Sequence, residues 1–340
     1  MTESDPLGAT TQESARKLDV VALLDKYGIL LVILILSVIL YASQPDVFFT
    51  WRNLTNILTQ NSVHAVLAIG MFMVILTAGI DLSVGSVLAL AMMCLAVSSA
   101  HVPWPIALIM GPLVGAAAGF LNGVGITKLK MPHPFIMTLG MLFAARGLAN
   151  IVSGGVPYSG LPDPVRFLGS ARIPVGEWAD RAQTLPFVVV FVLVLYVVFH
   201  ILFEHTVFGR RLYSIGGNPQ AAKVSGIDVD RHLIVVYTIC GLMAGLAGLI
   251  MAGRTNSGFP NAGIGIELEA IAAVIIGGAS FFGGRGTLIG VFGGVLVMGL
   301  INNGLNLNNV SVFYQQVLIG IIIVVAVSVD VFRREISRRK

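Results

Sequence analysis

The sequence predicts an all-α membrane protein of about ten transmembrane helices. Of its 340 residues 56% are hydrophobic and 11% charged, with a mean hydropathy of +0.89, a balance no soluble domain carries. Many apolar runs approach the ~20 residues that cross a bilayer as helix. These runs are continuous rather than alternating, which excludes a barrel, the other structure that satisfies every backbone group in lipid.

Residues 1–26 are polar and mixed in charge, with Glu3, Asp5, Glu13 and Asp19 offsetting Arg16 and Lys17, unlike the basic start of a cleaved signal peptide. They read as a cytoplasmic N-terminal segment before a polytopic domain at 27–331. Spans are expected at 27–43, 54–77, 87–100, 104–126 and from Pro132-His133-Pro134 to about 151. The stretch 153–184 is a long Gly- and Pro-containing loop with Trp178 a candidate interfacial anchor. Further spans follow at 185–203, 233–252, 288–305 and 310–331. Residues 268–281 are short for a crossing and run into Gly283-Gly284-Arg285-Gly286, as in a broken or re-entrant element. A basic cytoplasmic tail occupies 332–340. Cys94 and Cys240 lie inside apolar runs and read as small core residues.

Alternation from a cytoplasmic N-terminus places 15 of the 21 Lys and Arg residues inside, five outside and Arg146 within a span. The polar middle, 204–231, is then cytoplasmic. There Asn218 is a helix cap, Pro219 suits the first helical position, and Gly226 suits a left-handed end, which predicts a two-turn helix over 219–225. So short a helix needs something packed on it. Either a connecting loop or a partner site fits, the latter with shape-dependent contacts at Ala221, Ala222 and Val224.

Gly111, Leu113, Gly115 and Gly119 recur as Gly286, Leu288, Gly290 and Gly294, and Ile80-Asp81-Leu82 is echoed by Ile266-Glu267-Leu268. Spans two to five and seven to ten run in opposite senses, the plan of two inverted repeats. The stripe at Gly111, Gly115, Gly119 and Gly123 suits close backbone approach between helices.

Asp81 reads first as a cap on the helix beginning near Ser83, with gating its alternative, and Glu267 occupies the matching place. Gln60, Asn61, His64, Asn302, Asn303 and Asn306 are neutral groups that can line a pathway for an uncharged polyhydroxylated solute, or hydrogen-bond between helices. Ionisable groups in the spans, such as Arg146, Glu267 and Glu269, are too few for a proton relay. Nucleotide-loop, metal-ligand and nucleophile motifs are absent, so no catalytic residue, metal or bound cofactor is expected.

The segments GIDLSVGS (79–86), PFIMTLGMLFAARGL (134–148), FGRRLYSIGGNPQAAKVSGI (208–227), IELEAIAAVIIGGASFFGGRGT (266–287) and INNGLNLNNVSVFYQQ (301–316) resemble the permease subunits of bacterial ABC importers for monosaccharides. These belong to a superfamily that also holds branched-chain amino acid permeases. The resemblance implies a multi-pass protein of the bacterial inner membrane, a homodimer in lipid, with a cytoplasmic ATPase that uses ATP and Mg and a periplasmic or lipid-anchored sugar-binding protein. No nucleic-acid partner is implied. It also implies that Arg210, Arg211, Gly217, Asn218, Pro219, Ala221, Ala222, Lys223 and Gly226 couple to the ATPase. Many relatives carry a basic residue where this chain has Ile319.

Overall fold

The computed structural model describes residues 20–178 and 181–339, so most of the N-terminal segment lies outside the described residues, as do the side chains of Trp178 and of the tail from 333. The chain opens with α1 (Val20–Ser43), α2 (Trp51–Leu76), α3 (Val84–Ser98), α4 (Trp104–Lys128) and α5 (Pro134–Ser153). Then come β1 (Tyr158–Ser159), α6 (Asp163–Ser170), β2 (Arg172–Trp178), β3 (Arg181–Pro186) and α7 (Phe187–His205). A short pair, α8 (Val207–Gly217) and α9 (Pro219–Val224), leads to α10 (Val229–Thr255) and β4 (Ser257–Gly258). The chain ends with α11 (Ile266–Ile276), α12 (Leu288–Leu307) and α13 (Val312–Arg339).

Among the described residues seven helices are long and apolar enough to cross a membrane, namely α2, α4, α5, α7, α10, α12 and the 312–332 part of α13. The apolar part of α1, with α3 and α11, makes up the expected ten. α3 is short because it is buried on nearly every side, so its length need not match the bilayer. α11 has 11 residues and ends at Gly277-Gly278, where Gly278 takes φ +88°; this is the broken element expected from the sequence.

The expected loop at 153–184 is more ordered than the sequence suggested. It contains α6 and a hairpin pairing Arg172 with Pro186 through to Trp178 with Arg181, whose Pro174 and bulge conceal any strand periodicity. The hairpin is tied to the helical body by Trp51, whose indole N–H donates to the Thr184 carbonyl at 3.0 Å.

α10 packs on α4 and α3, and α2 packs on α12 and α11; α3 packs on α4 and α5, and α11 on α12 and α13. Helices two to five thus have the same neighbours, with the order of elements preserved, as ten to thirteen, which is what two inverted repeats require. The repeated glycines meet different partners, however. Gly111, Gly115 and Gly119 face the Gly241 and Gly245 region of α10, whereas Gly290 and Gly294 face Gly277 and Ala273 on α11.

At the α4–α10 crossing the backbones touch: a β-carbon on Gly115 would come within 2.7 Å of the Gly245 nitrogen. Gly115→Leu is therefore expected to force the helices apart at a cost of ~1–3 kcal/mol, read as a lower detergent melting temperature than that of Ala117→Leu on the exposed side of the same helix. α7 has 19 residues; Ser170 lies beside its start, where the Phe187 N–H donates to the Ala171 carbonyl, and Lys223 follows its other end beyond α8. In a background lacking Cys94 and Cys240, cysteines at 170 and 223 should react with impermeant thiol reagents from opposite sides of the membrane. Reaction from one side would remove the ten-helix plan.

Candidate functional site

After α7, Thr206 starts α8 by accepting from the Gly209 N–H at 3.2 Å. Asn218 then starts α9: its Oδ1 accepts from the N–H groups of Gln220 at 3.1 Å and Ala221 at 3.0 Å, with Pro219 behind it. Gly226 stands at φ +84° and closes the turn. The backbone reading of this stretch thus matches the structure.

Which residues face outward needs correction. Ala222 is buried, 4% exposed, against its own chain, so the helix is seated by α8 and α10 rather than held only by a partner. The end caps alone hold so short a helix only marginally, and an alanine side chain is the one that fits the seat. Arg210, Arg211, Gly217, Asn218, Pro219, Ala221, Lys223 and Gly226 are exposed, and Val224 is 90% exposed.

α8 in turn is fastened to the membrane body. Leu212 and Ile215 are buried, and Gly216 has no room for a side chain because a β-carbon would lie 2.5 Å from the Gly284 nitrogen. The Gly284 N–H donates to the Leu76 carbonyl at 2.9 Å, at the end of α2. The Tyr213 hydroxyl donates to the Gly286 carbonyl at 2.9 Å, and burial, with the nearby Glu204 carboxylate, pushes its phenol up to about 12, so it stays a donor at neutral pH.

On the outer side of the helical body three elements converge. His64 Nε2 on α2 lies 3.1 Å from Glu269 Oε2 on α11, and Asn302 Nδ2 on α12 donates to that same oxygen at 3.3 Å. His64 Nδ1 and Asn302 Oδ1 are buried there without a protein partner. Gln60 and Asn306, each one turn farther out on α2 and α12, are exposed. The remaining two expected residues turn elsewhere: Asn303 exchanges amide hydrogen bonds with Asn53 at 2.8 and 3.2 Å, and Asn61 is buried against Gly299 with its amide on the Ile57 carbonyl. Glu269 was noted in the sequence only as one of few acids. Its place on a short helix opposite two polar helices gives it the centre of the cluster.

Two arginines bond to backbone carbonyls nearby, Arg146 at the irregular stretch before α11 and Arg254 along the continuous helix α2. Arg146 Nη1 donates to the carbonyls of Pro260 and Ala262 at 2.6 and 2.7 Å, and Arg254 Nη1 to those of Thr59 and Gln60 at 3.2 and 3.3 Å. Glu267, in the first turn of α11, sits against Gly85 in the first turn of α3, so the two half-helices meet at their positive ends.

Asp81 is fully buried. Its Oδ1 accepts from Ser83 N–H at 2.8 Å and Ser83 Oγ at 2.6 Å, and Asn122 Nδ2 donates to Ser83 Oγ at 2.9 Å. The Tyr237 hydroxyl donates to the Ile80 carbonyl at 3.3 Å. This knot joins the entrance of α3 to α4 and α10. Among the described residues no His, Cys, Asp and Glu side chains are grouped to hold a metal ion.

A membrane body with meeting half-helices, a polar cluster and a short attached helix is the build of a transport permease. The family described as "Branched-chain amino acid transport system / permease component" matches residues 53–327, and the chain belongs to that family. Among its relatives, the ribose import permease protein of Escherichia coli K12 is 39% identical over 330 residues, covering 94% of this chain and 98% of the relative. The ribose import permease protein of Bacillus subtilis 168 is 40% identical over 320 residues, 94% and 97% of the two chains. The D-allose transport system permease protein of E. coli K12 is 40% identical over 309 residues, 90% and 91%. No solved structure matches the chain. The protein is a multi-pass membrane transport subunit rather than an enzyme.

Because Asn can offer Ser83 the same oxygen, Asp81→Asn is expected to keep assembly and transport near the parent level, whereas Asp81→Leu strands the Ser83 donors and should cost ~1–3 kcal/mol. Detergent melting of the two variants beside uptake checks this. Lost transport in a normally stable Asn variant would assign the charge itself a role.

Proposed function

We propose that this chain is the permease of an ATP-driven monosaccharide importer in the bacterial cytoplasmic membrane, working as a homodimer with a separate ATPase inside and a sugar-binding protein outside. ATP and Mg serve the ATPase and not this chain. The observation that carries the reading is end-to-end similarity, at 39–40% identity, to permeases named for ribose and allose.

The family description also names branched-chain amino acids, and the site chemistry favours the sugar. A zwitterion needs two free opposite charges, but here Arg146 and Arg254 are spent on backbone carbonyls and Glu269 on His64 and Asn302. What is left along Gln60, His64, Asn302 and Asn306 is neutral hydrogen-bonding capacity, suited to hydroxyls. Asn303 and Asn61 flank this path and hold α2 to α12.

The outward face of α9, with Ala221, Lys223 and Val224, fits a groove on the ATPase, and Arg210 and Arg211 one helix earlier supply charge beside it. Motion of that groove passes through α8 to the end of α2 and to the segment between α11 and α12, to which α8 is hydrogen-bonded.

In proteoliposomes holding this chain, its ATPase and its binding protein, ATP should drive concentrative sugar uptake, while the permease alone should take up none under a sodium or proton gradient. Val224→Asp should lower ATP-driven uptake by about tenfold or more through loss of an apolar interface contact, with melting of the isolated permease unchanged. Gradient-driven accumulation by the permease alone would place the protein in another transport class.

A further inference from the structure

Asp330 interrupts the apolar course of α13, and the polar cluster makes no use of it. An acid on a membrane helix is costly without partners, and both of its partners lie in one place. Its Oδ2 accepts from the Phe281 N–H at 2.9 Å and from Ser280 Oγ at 3.2 Å, in the segment that joins α11 to α12.

That same segment is where the cytoplasmic helices are fastened. Gly284 N–H reaches the Leu76 carbonyl and Gly286 accepts from Tyr213. Left-handed glycines bound it: Gly278 at φ +88°, Gly283 at +81°, Gly284 at +72° and Gly286 at +138°. Gly283 and Gly284 are pressed against Ala78 and Gly217, where a β-carbon would approach to 2.8 and 2.7 Å. The segment is thus fixed to its neighbours by contact yet free of side-chain bulk at its bends. Beside it lies an apolar cavity of about 430 Å³ lined by Val32, Ile276, Ile322, Val325 and Ala326, with Asp330 in its wall. Elsewhere α13 is held mainly by apolar contact, through Ile319, Ile322, Ile323, Ala326 and Val327 against the body, while Ile321, Val324 and Val325 on its other side are exposed.

We propose that Asp330 is a positioning residue that makes α13 and segment 280–286 move as one body, so that displacement of α8 and α9 reaches α13. The inference rests on the proposed ATP-driven transport and adds the route by which the stroke spreads beyond α2. With space on one side of α13 and hydrogen bonds on the other, a shift of the segment carries the helix along instead of sliding past it.

The test uses the complete complex in proteoliposomes, with Cys94 and Cys240 replaced, cysteines at positions 280 and 330, and D-ribose, D-allose and D-galactose as radiolabelled probes. Sugar imported per ATP hydrolysed is measured on one preparation, reduced and then oxidised, so folding is the same in both arms. In the reduced form the ratio should fall roughly tenfold while ATP hydrolysis stays within about threefold of the parent. Formation of the disulfide should restore the ratio to at least about half. A reduced pair that transports at the parent ratio overturns the proposal, and so does an oxidised pair that stays uncoupled, because the segment and α13 would then have to separate during the cycle. Asp330→Asn, which keeps an acceptor oxygen, should retain the ratio and Asp330→Leu should lose it; equal ratios for the two again overturn it. A parent complex with no ATP-dependent uptake of any probe would defeat the transport reading itself, an outcome separate from the ratio.

Discussion

The constraint on which the structure depends is that hydrocarbon offers no partner for a peptide group, so each break in a membrane helix must be closed by the protein. The breaks here are closed by a small set of side chains. Asp81 and Ser83 close the entrance to α3 and Arg146 takes the carbonyls before α11, while Arg254 bonds to two carbonyls of the unbroken α2 and so ties α10 to it. Asp330 takes the N–H that follows α11. Nearly every charged residue inside the membrane body therefore has a backbone to serve, which explains why so few remain for the solute.

Glycine answers the same constraint from the other side. Where α4 meets α10, and where α3 meets α11, the absence of side chains lets backbones touch and dispersion contacts replace the missing hydrophobic force between helices. The α4–α10 pair is so close that it behaves as one stiff plate. α11 is packed as closely on α12, through Gly290 and Gly294 against Gly277 and Ala273, whereas α13 lies on the outside of that pair with much of its surface exposed.

Much of this was legible in the chain. Hydropathy marked the spans, and Asn218, Pro219 and Gly226 marked a helix whose ends need only local chemistry. The glycine stripe on α4 announced a close neighbour, but not that the neighbour was Gly241 and Gly245 of α10. Local rules stop there. The pairing of His64 with Glu269 joins residues 205 apart, and no local pattern encodes it. The inward turn of Ala222 and the service of Asp330 to Phe281 likewise depend on how distant segments dock. The hairpin at 172–186 escaped notice because a proline and a bulge break its alternation.

The seating of α9 divides six residues between two masters. Ala222 answers to the permease interior, while Ala221, Lys223 and Val224 are exposed and, on the proposed coupling role, answer to the ATPase. If the proposed coupling holds, exposed side chains can change without touching packed ones, and a permease of this build can be matched to a new motor by altering a few of them. An organism with many such importers has in that surface a small and separable address, and a designer who wishes to rewire one importer to another's engine has the same three positions to begin with.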